Sequence, residues 1–92
     1  MQENVEIVKI TKSQETGLIE RVRKLVEWGD IISIEEANSI VKEELEEDQL
    51  CLIHLGYDEI CIVADYKKLK NRFLEATEYL REKNNKFNPF IN

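Results

Sequence analysis

Two groups of side chains in this 92-residue sequence could do chemistry. The first is His54, the single histidine, with Cys51 and Cys61 on either side of it. An imidazole beside a thiol lowers the thiol pKa and creates a nucleophile. A β-hairpin that pairs Leu55 with Ile60 across a four-residue loop would set His54 directly opposite Cys61. A zinc site would need further Cys or His ligands, which the chain lacks. No glycine-rich turn or helix terminus adjoins the pair to hold a reacting anion. The reading is therefore a cross-strand neighbour pair, with no catalytic residue, cofactor site or metal site. The same register puts Cys51 and Cys61 on opposite faces, roughly 10 Å apart along the strands, beyond disulfide reach.

The second group is a charge dipole. Glu43, Glu44, Glu46, Glu47 and Asp48 make an acidic run, and Lys67, Lys68, Lys70 and Arg72 a basic one. Calcium loops need alternating ligands around a glycine turn, which the acidic run does not have. Two readings stay open for it: a surface for a basic partner, or neutralisation by Lys67, Lys68 and Lys70 across a hairpin that brings Gln49 beside Tyr66. Trp28 joins the five acids as a candidate partner contact, because tryptophans dominate interfaces when exposed. The bases with Tyr66 could meet phosphate and a nucleobase, but no aromatic nucleic-acid motif is present.

Composition narrows the function classes. A chain of this length fits one domain, residues 1–92 with a tail at 85–92, and buries roughly 60 to 65% of its unfolded surface. With 42% hydrophobic residues it can build a core despite 35% charged ones. A net charge of −6 argues against binding DNA, RNA or anionic membrane. Met1-Gln2-Glu3-Asn4 is acidic where an export signal is basic, and no apolar run nears the roughly 20 residues of a membrane helix. The expected location is the cytoplasm, where both cysteines stay reduced. Abundant Ile, Lys, Glu and Asn suit an AT-rich bacterial or phage genome.

The elements that would position these groups follow from periodicity. Residues 4–11, with Val5, Ile7, Val8 and Ile10, read as a strand. From Ser13 or Thr16 to Trp28, Leu18, Ile19, Val22, Leu25 and Val26 recur at helical spacing, and Gly29 follows as a stop. Ser33 with Glu36 forms a capping box for a second helix carrying Ile34, Ala37, Ile40, Val41 and Leu45. Residues 50–55 and 60–64 form a hairpin in which Cys51, Ile53 and Leu55 share an apolar face with Ile60, Ile62 and Ala64. Asp65 caps a third helix, with Tyr66, Leu69, Phe73, Ala76, Thr77 and Leu80 in its stripe, running to about Lys83 and ended by Asn84 and Asn85. In the tail, Asn88-Pro89-Phe90 reads as chain folded onto the core through Phe87 and Phe90. The expected fold is α+β in the order β-α-α-β-β-α, a three-stranded, mainly antiparallel sheet packed with three helices.

Ile19-x-x-Val22-Arg23 followed by Ile34-Glu35-Glu36-Ala37-x-x-Ile40-Val41 resembles the helical hairpin in the C-terminal domain of the bacterial ribosomal stalk protein. The resemblance covers about a quarter of the chain and implies only the helix pair.

The function expected from these features is non-enzymatic: a small acidic protein that docks on a basic protein surface as an inhibitor or adaptor, in the manner of immunity proteins, antitoxins and phage anti-defence proteins. The alternative is an accessory protein that homodimerises through the second sheet face around Leu50, Leu52 and Val63. A thiol enzyme built on His54 and Cys61 stands third.

Overall fold

The computed structural model describes residues 3–86. Its centre is an antiparallel sheet of five strands, β1 (Asn4–Lys12), β2 (Ile19–Glu27), β3 (Ile31–Glu36), β4 (Leu50–Leu55) and β5 (Glu59–Val63). They lie in the order β2-β1-β5-β4-β3. A 3-10 turn at Trp28–Asp30 links β2 to β3, a six-residue helix α1 (Ser39–Glu44) links β3 to β4, and the long helix α2 (Tyr66–Lys86) follows β5.

This architecture overturns the expected three strands and three helices. The segment read as the first helix is β2, paired with β1 without interruption from Asn4↔Glu27 to Lys12↔Ile19. The segment read as the second helix divides into β3 and the short α1. The helical pair implied by the ribosomal stalk resemblance is therefore absent from these residues.

The physical reason is the demand of β1 and β4 for neighbours. Both carry apolar side chains on two faces, so both sit inside the sheet, where backbone N–H and C=O groups must be paired along each edge. β2 and β3 supply those outer ladders. Nine residues of pairing outweigh a helical preference that is only tenths of a kcal/mol per residue.

The local signals taken for helix starts serve turns instead. Ser13 Oγ accepts from the Thr16 N–H at 3.3 Å and Thr16 Oγ1 from the Leu18 N–H at 3.2 Å, which closes the β1–β2 loop. Gly17 adopts φ 72° there, a left-handed conformation that costs glycine little. Ser33 and Glu36 lie on β3, and the true cap of α1 is Asn38, whose Oδ1 accepts from the Val41 N–H at 2.9 Å. A register shift between Ile31 and Ser33 leaves Ile32 exposed on the outer edge of β3.

The third helix starts where the sequence placed it but does not stop at Lys83: it runs through Asn84 and Asn85 to Lys86, so residues 85 and 86 belong to α2 and not to the expected tail. Asp65 Oδ1 accepts from the Lys68 N–H at 3.0 Å, and Leu69 and Ala76 are buried against the sheet. On the face beneath α2, Val5, Ile7, Val26, Trp28, Ile31, Ile34, Cys51, Ile53, Leu55, Ile60 and Ile62 form the main core. On the other face a smaller cluster of Ile10, Ala37, Leu45 and Leu50 lies at one end.

The β4–β5 hairpin forms where expected, with a different register. Ile53 pairs with Ile60, His54 with Glu59 and Leu52 with Cys61. The turn is tighter than a four-residue loop: the Leu55 N–H donates to the Asp58 carbonyl at 2.7 Å, leaving Gly56 and Tyr57 as its tip. A slip of two residues preserves faces. Cys51, Ile53 and Ile62 thus remain in the expected apolar layer, while the pairings Leu55 with Ile60 and His54 with Cys61 are corrected.

Candidate docking surface

The acidic run forms a turn fastened to the sheet at two points. α1 ends at Glu44, and Leu45 drops into the cluster of Ile10, Ala37 and Leu50 at 8% exposure. The chain then reverses: the Leu45 N–H donates to the Val41 carbonyl, the Glu46 N–H to Glu43 and the Glu47 N–H to Lys42, at 3.0, 3.2 and 3.0 Å. Glu46 takes φ 54°, the one positive φ among the described non-glycine residues. The second fastening is Glu47, whose carboxylate accepts from the Arg21 guanidinium on β2 at 2.9 Å.

Glu43, Glu44, Glu46 and Asp48 are exposed, and no ion pair among the described residues engages them. Lys42, on the same helix, is bound to Glu36 at 3.2 Å. Four carboxylates without an ion-pair partner among the described residues therefore project from a turn whose other acid is neutralised.

Neutralisation by the basic run is not what the geometry offers. α1 covers one face of the sheet and α2 the other, and no ion pair among the described residues joins Lys67, Lys68 or Lys70 to the turn. Arg72 lies over the Trp28 ring, 5.5 Å from its centroid.

Trp28 belongs to the core rather than to a docking surface. It is 4% exposed, with its ring centroid 6.4 Å from that of Phe73. Leu50, expected to contribute to a self-association face, is 1% exposed beneath the α1 turn. Leu52, Cys61 and Val63 are half-buried on that face, and Leu25 on β2 is 65% exposed.

His54 meets neither cysteine. Its Nε2 lies 3.1 Å from Glu35 Oε1 on β3 and its Nδ1 3.1 Å from Glu59 Oε2 on β5. Both ring nitrogens are thus engaged by carboxylates, an arrangement that orders an imidazole across three strands and leaves no nitrogen directed at a thiol. Burial pushes the Cys51 thiol up to about 11, with the Glu36 and Asp65 carboxylates adding to it, and burial raises Cys61 as well. Cys51 Sγ lies 3.4 Å from the Ala64 carbonyl oxygen beneath α2, while Cys61 lies on the opposite face; both are free. Among the described residues, no group of three or more His, Cys, Asp or Glu side chains is placed to hold a metal ion.

The Arg21–Glu47 contact and the carboxylates around His54 escaped sequence reasoning. Both join residues brought together by strand pairing: Arg21 lies on a segment read as helical, and Glu35 sat inside a supposed second helix. The alternation of Arg21, Arg23 and Leu25 with Val22, Lys24 and Val26 was the available strand signal.

No protein-family model, curated protein or solved structure matches the chain. Among the described residues, no helix is long and apolar enough to cross a membrane. The tail residues Phe87, Asn88, Pro89 and Phe90 lie outside the described residues.

Proposed function

We propose that this chain acts by binding and not by covalent chemistry, docking the acidic turn on a protein with a basic surface as an inhibitor or adaptor. The observation that carries the reading is the fixed turn with Glu43, Glu44, Glu46 and Asp48 free while Glu47 and Leu45 hold it down. Charges on a preformed turn can steer a partner at little ordering cost, which raises the association rate more than the affinity. The net charge of −6 turns the same surface away from nucleic acid and anionic lipid. Free cysteines suit a cytosolic setting.

The thiols weigh against the thiol-enzyme reading. A nucleophilic cysteine needs a lowered pKa, and both of these are raised. Single changes His54→Ala and Cys61→Ser should leave biological activity within a few-fold of wild type, whereas loss of a catalytic pair costs orders of magnitude.

The test compares wild type with Glu44→Lys/Glu46→Lys as baits in the source cell extract. Proteins retained by the first and lost by the second are then measured for association rate against salt. Slower association with a weaker salt dependence in the double variant supports the reading. Equal capture by both baits, or an association rate unmoved by the reversals, overturns it.

A further inference from the structure

We propose that two copies of this chain pair through β2 in an antiparallel, two-fold register centred on Val22, joining their sheets edge to edge into one of ten strands. The inference rests on the outer strand of the sheet and needs no partner at the acidic turn, from which it takes only the Glu47 carboxylate that accompanies Arg21.

β2 has β1 on one side only, so one row of its backbone N–H and C=O groups faces outward. Proteins blunt such edges with short strands, prolines, bulges or charged side chains. β2 is nine residues long, contains no proline and keeps one unbroken register with β1, so charge is its one blunting device, and Glu20, Arg21, Arg23, Lys24 and Glu27 then decide which strand it can accept. It also gathers apolar surface. Leu18, just before the strand, is 64% exposed, Val22 56% and Leu25 65%.

Symmetry then restricts the pairing. In a two-fold antiparallel pair each residue must face one on the same side of the sheet, so the axis must pass through a residue. With Val22 on the axis, Ile19 faces Leu25 and Glu20 faces Lys24, each pair occurring twice, and Val22 faces its own copy. Directly opposed apolar and opposite-charge pairs are the stabilising ones in a sheet.

Arg21 faces Arg23 in this register, and both arrive with carboxylates. Arg21 holds Glu47 at 2.9 Å and Arg23 lies 3.8 Å from Glu6. The neighbouring registers do worse. Centring on Arg23 sets that residue against itself, Val22 against Lys24, Arg21 against Leu25 and Glu20 against Val26. Centring on Lys24 opposes two lysines and sets Arg23 against Leu25. Of these registers only the one centred on Val22 sets Glu20 against Lys24 while matching Ile19 with Leu25 and Val22 with itself, and this self-complementarity points to a second copy as the occupant.

The experiment uses Glu20→Lys and Lys24→Glu, which place like charges at both Glu20–Lys24 contacts of the pair. Wild type is expected to sediment as a dimer at high micromolar concentration, and each variant alone to dissociate at least tenfold more readily. Mixed in equal amounts, the two variants should dimerise again, because each reversed charge then meets its opposite on the other chain. Val22→Lys, at the axis, should be monomeric with an unchanged circular dichroism spectrum. A monomeric wild type, an unweakened single variant or a mixture that stays monomeric would overturn the proposal; if a charge variant does not fold, Val22→Lys dimerising like wild type would do so.

Discussion

The two hairpins of the sheet make opposite use of similar amino acids. In β4–β5 the residues Cys51, Ile53 and Ile62 have no exposed surface, and Ile60 and Leu55 have 3% and 5%. In β1–β2 burial is uneven: Val5, Ile7 and Ile10 on β1 and Val26 on β2 are covered, while Val22 and Leu25 on β2 are more than half exposed. The central hairpin is held between a neighbour strand on each side and α2 above it, so its side chains contribute mainly to stability. The edge hairpin is covered on one side only, which leaves apolar groups and backbone available for association. Burial and exposure are therefore separated by strand position rather than by composition.

The largest effect should come from the central hairpin. Ile62→Ala leaves a cavity where the side chain is fully buried and should cost ~2 to 5 kcal/mol in urea unfolding, a large share of the stability of a domain this small. A loss below about 1 kcal/mol would break the comparison.

A second effect is pH-dependent. The Cys51 thiol ionises at 9.0 in an ordinary environment and at about 11 in the fold. The fold therefore favours the neutral thiol, and that stabilisation is complete below pH 9.0 and lost as pH rises towards about 11. The unfolding free energy of wild type minus that of Cys51→Ala should shrink by ~2 kcal/mol across that range. A difference that stays constant or grows would mean that the site does not oppose the thiolate.

On the edge hairpin the expected effects are smaller. Arg21→Ala removes the ion pair to Glu47, which is partly screened by solvent, and should cost below ~1 kcal/mol. It should also loosen the acidic turn, seen as faster amide exchange at Glu46 and Glu47. Smallest is Val22→Ala, expected within about 0.5 kcal/mol of wild type in dilute solution. A Val22 variant as damaging as Ile62→Ala would erase the distinction between the two hairpins.

Where the sequence was legible, both local and long-range forces pointed the same way. The run from Leu50 to Val63 could only bury its β-branched side chains as paired strands, and its alternation set the faces even though the tight turn moved the register by two residues. The stripe of Leu69, Phe73 and Ala76 behind Asp65 determined α2 for the same reason. The acidic run was visible as composition. What only the tertiary structure decided lies in β2 and β3. Leu18, Ile19, Val22, Leu25 and Val26 fit one helical stripe, whereas in the strand they divide between the two faces, Leu18, Val22 and Val26 on one and Ile19 and Leu25 on the other. That conflict is settled by β1, which needs a partner for its backbone, and by β4, which needs another. A hydrogen-bond requirement of distant residues leaves no mark in the local pattern, so the strand order, the burial of Trp28 and the engagement of Glu47 by Arg21 appear only once the chain has folded.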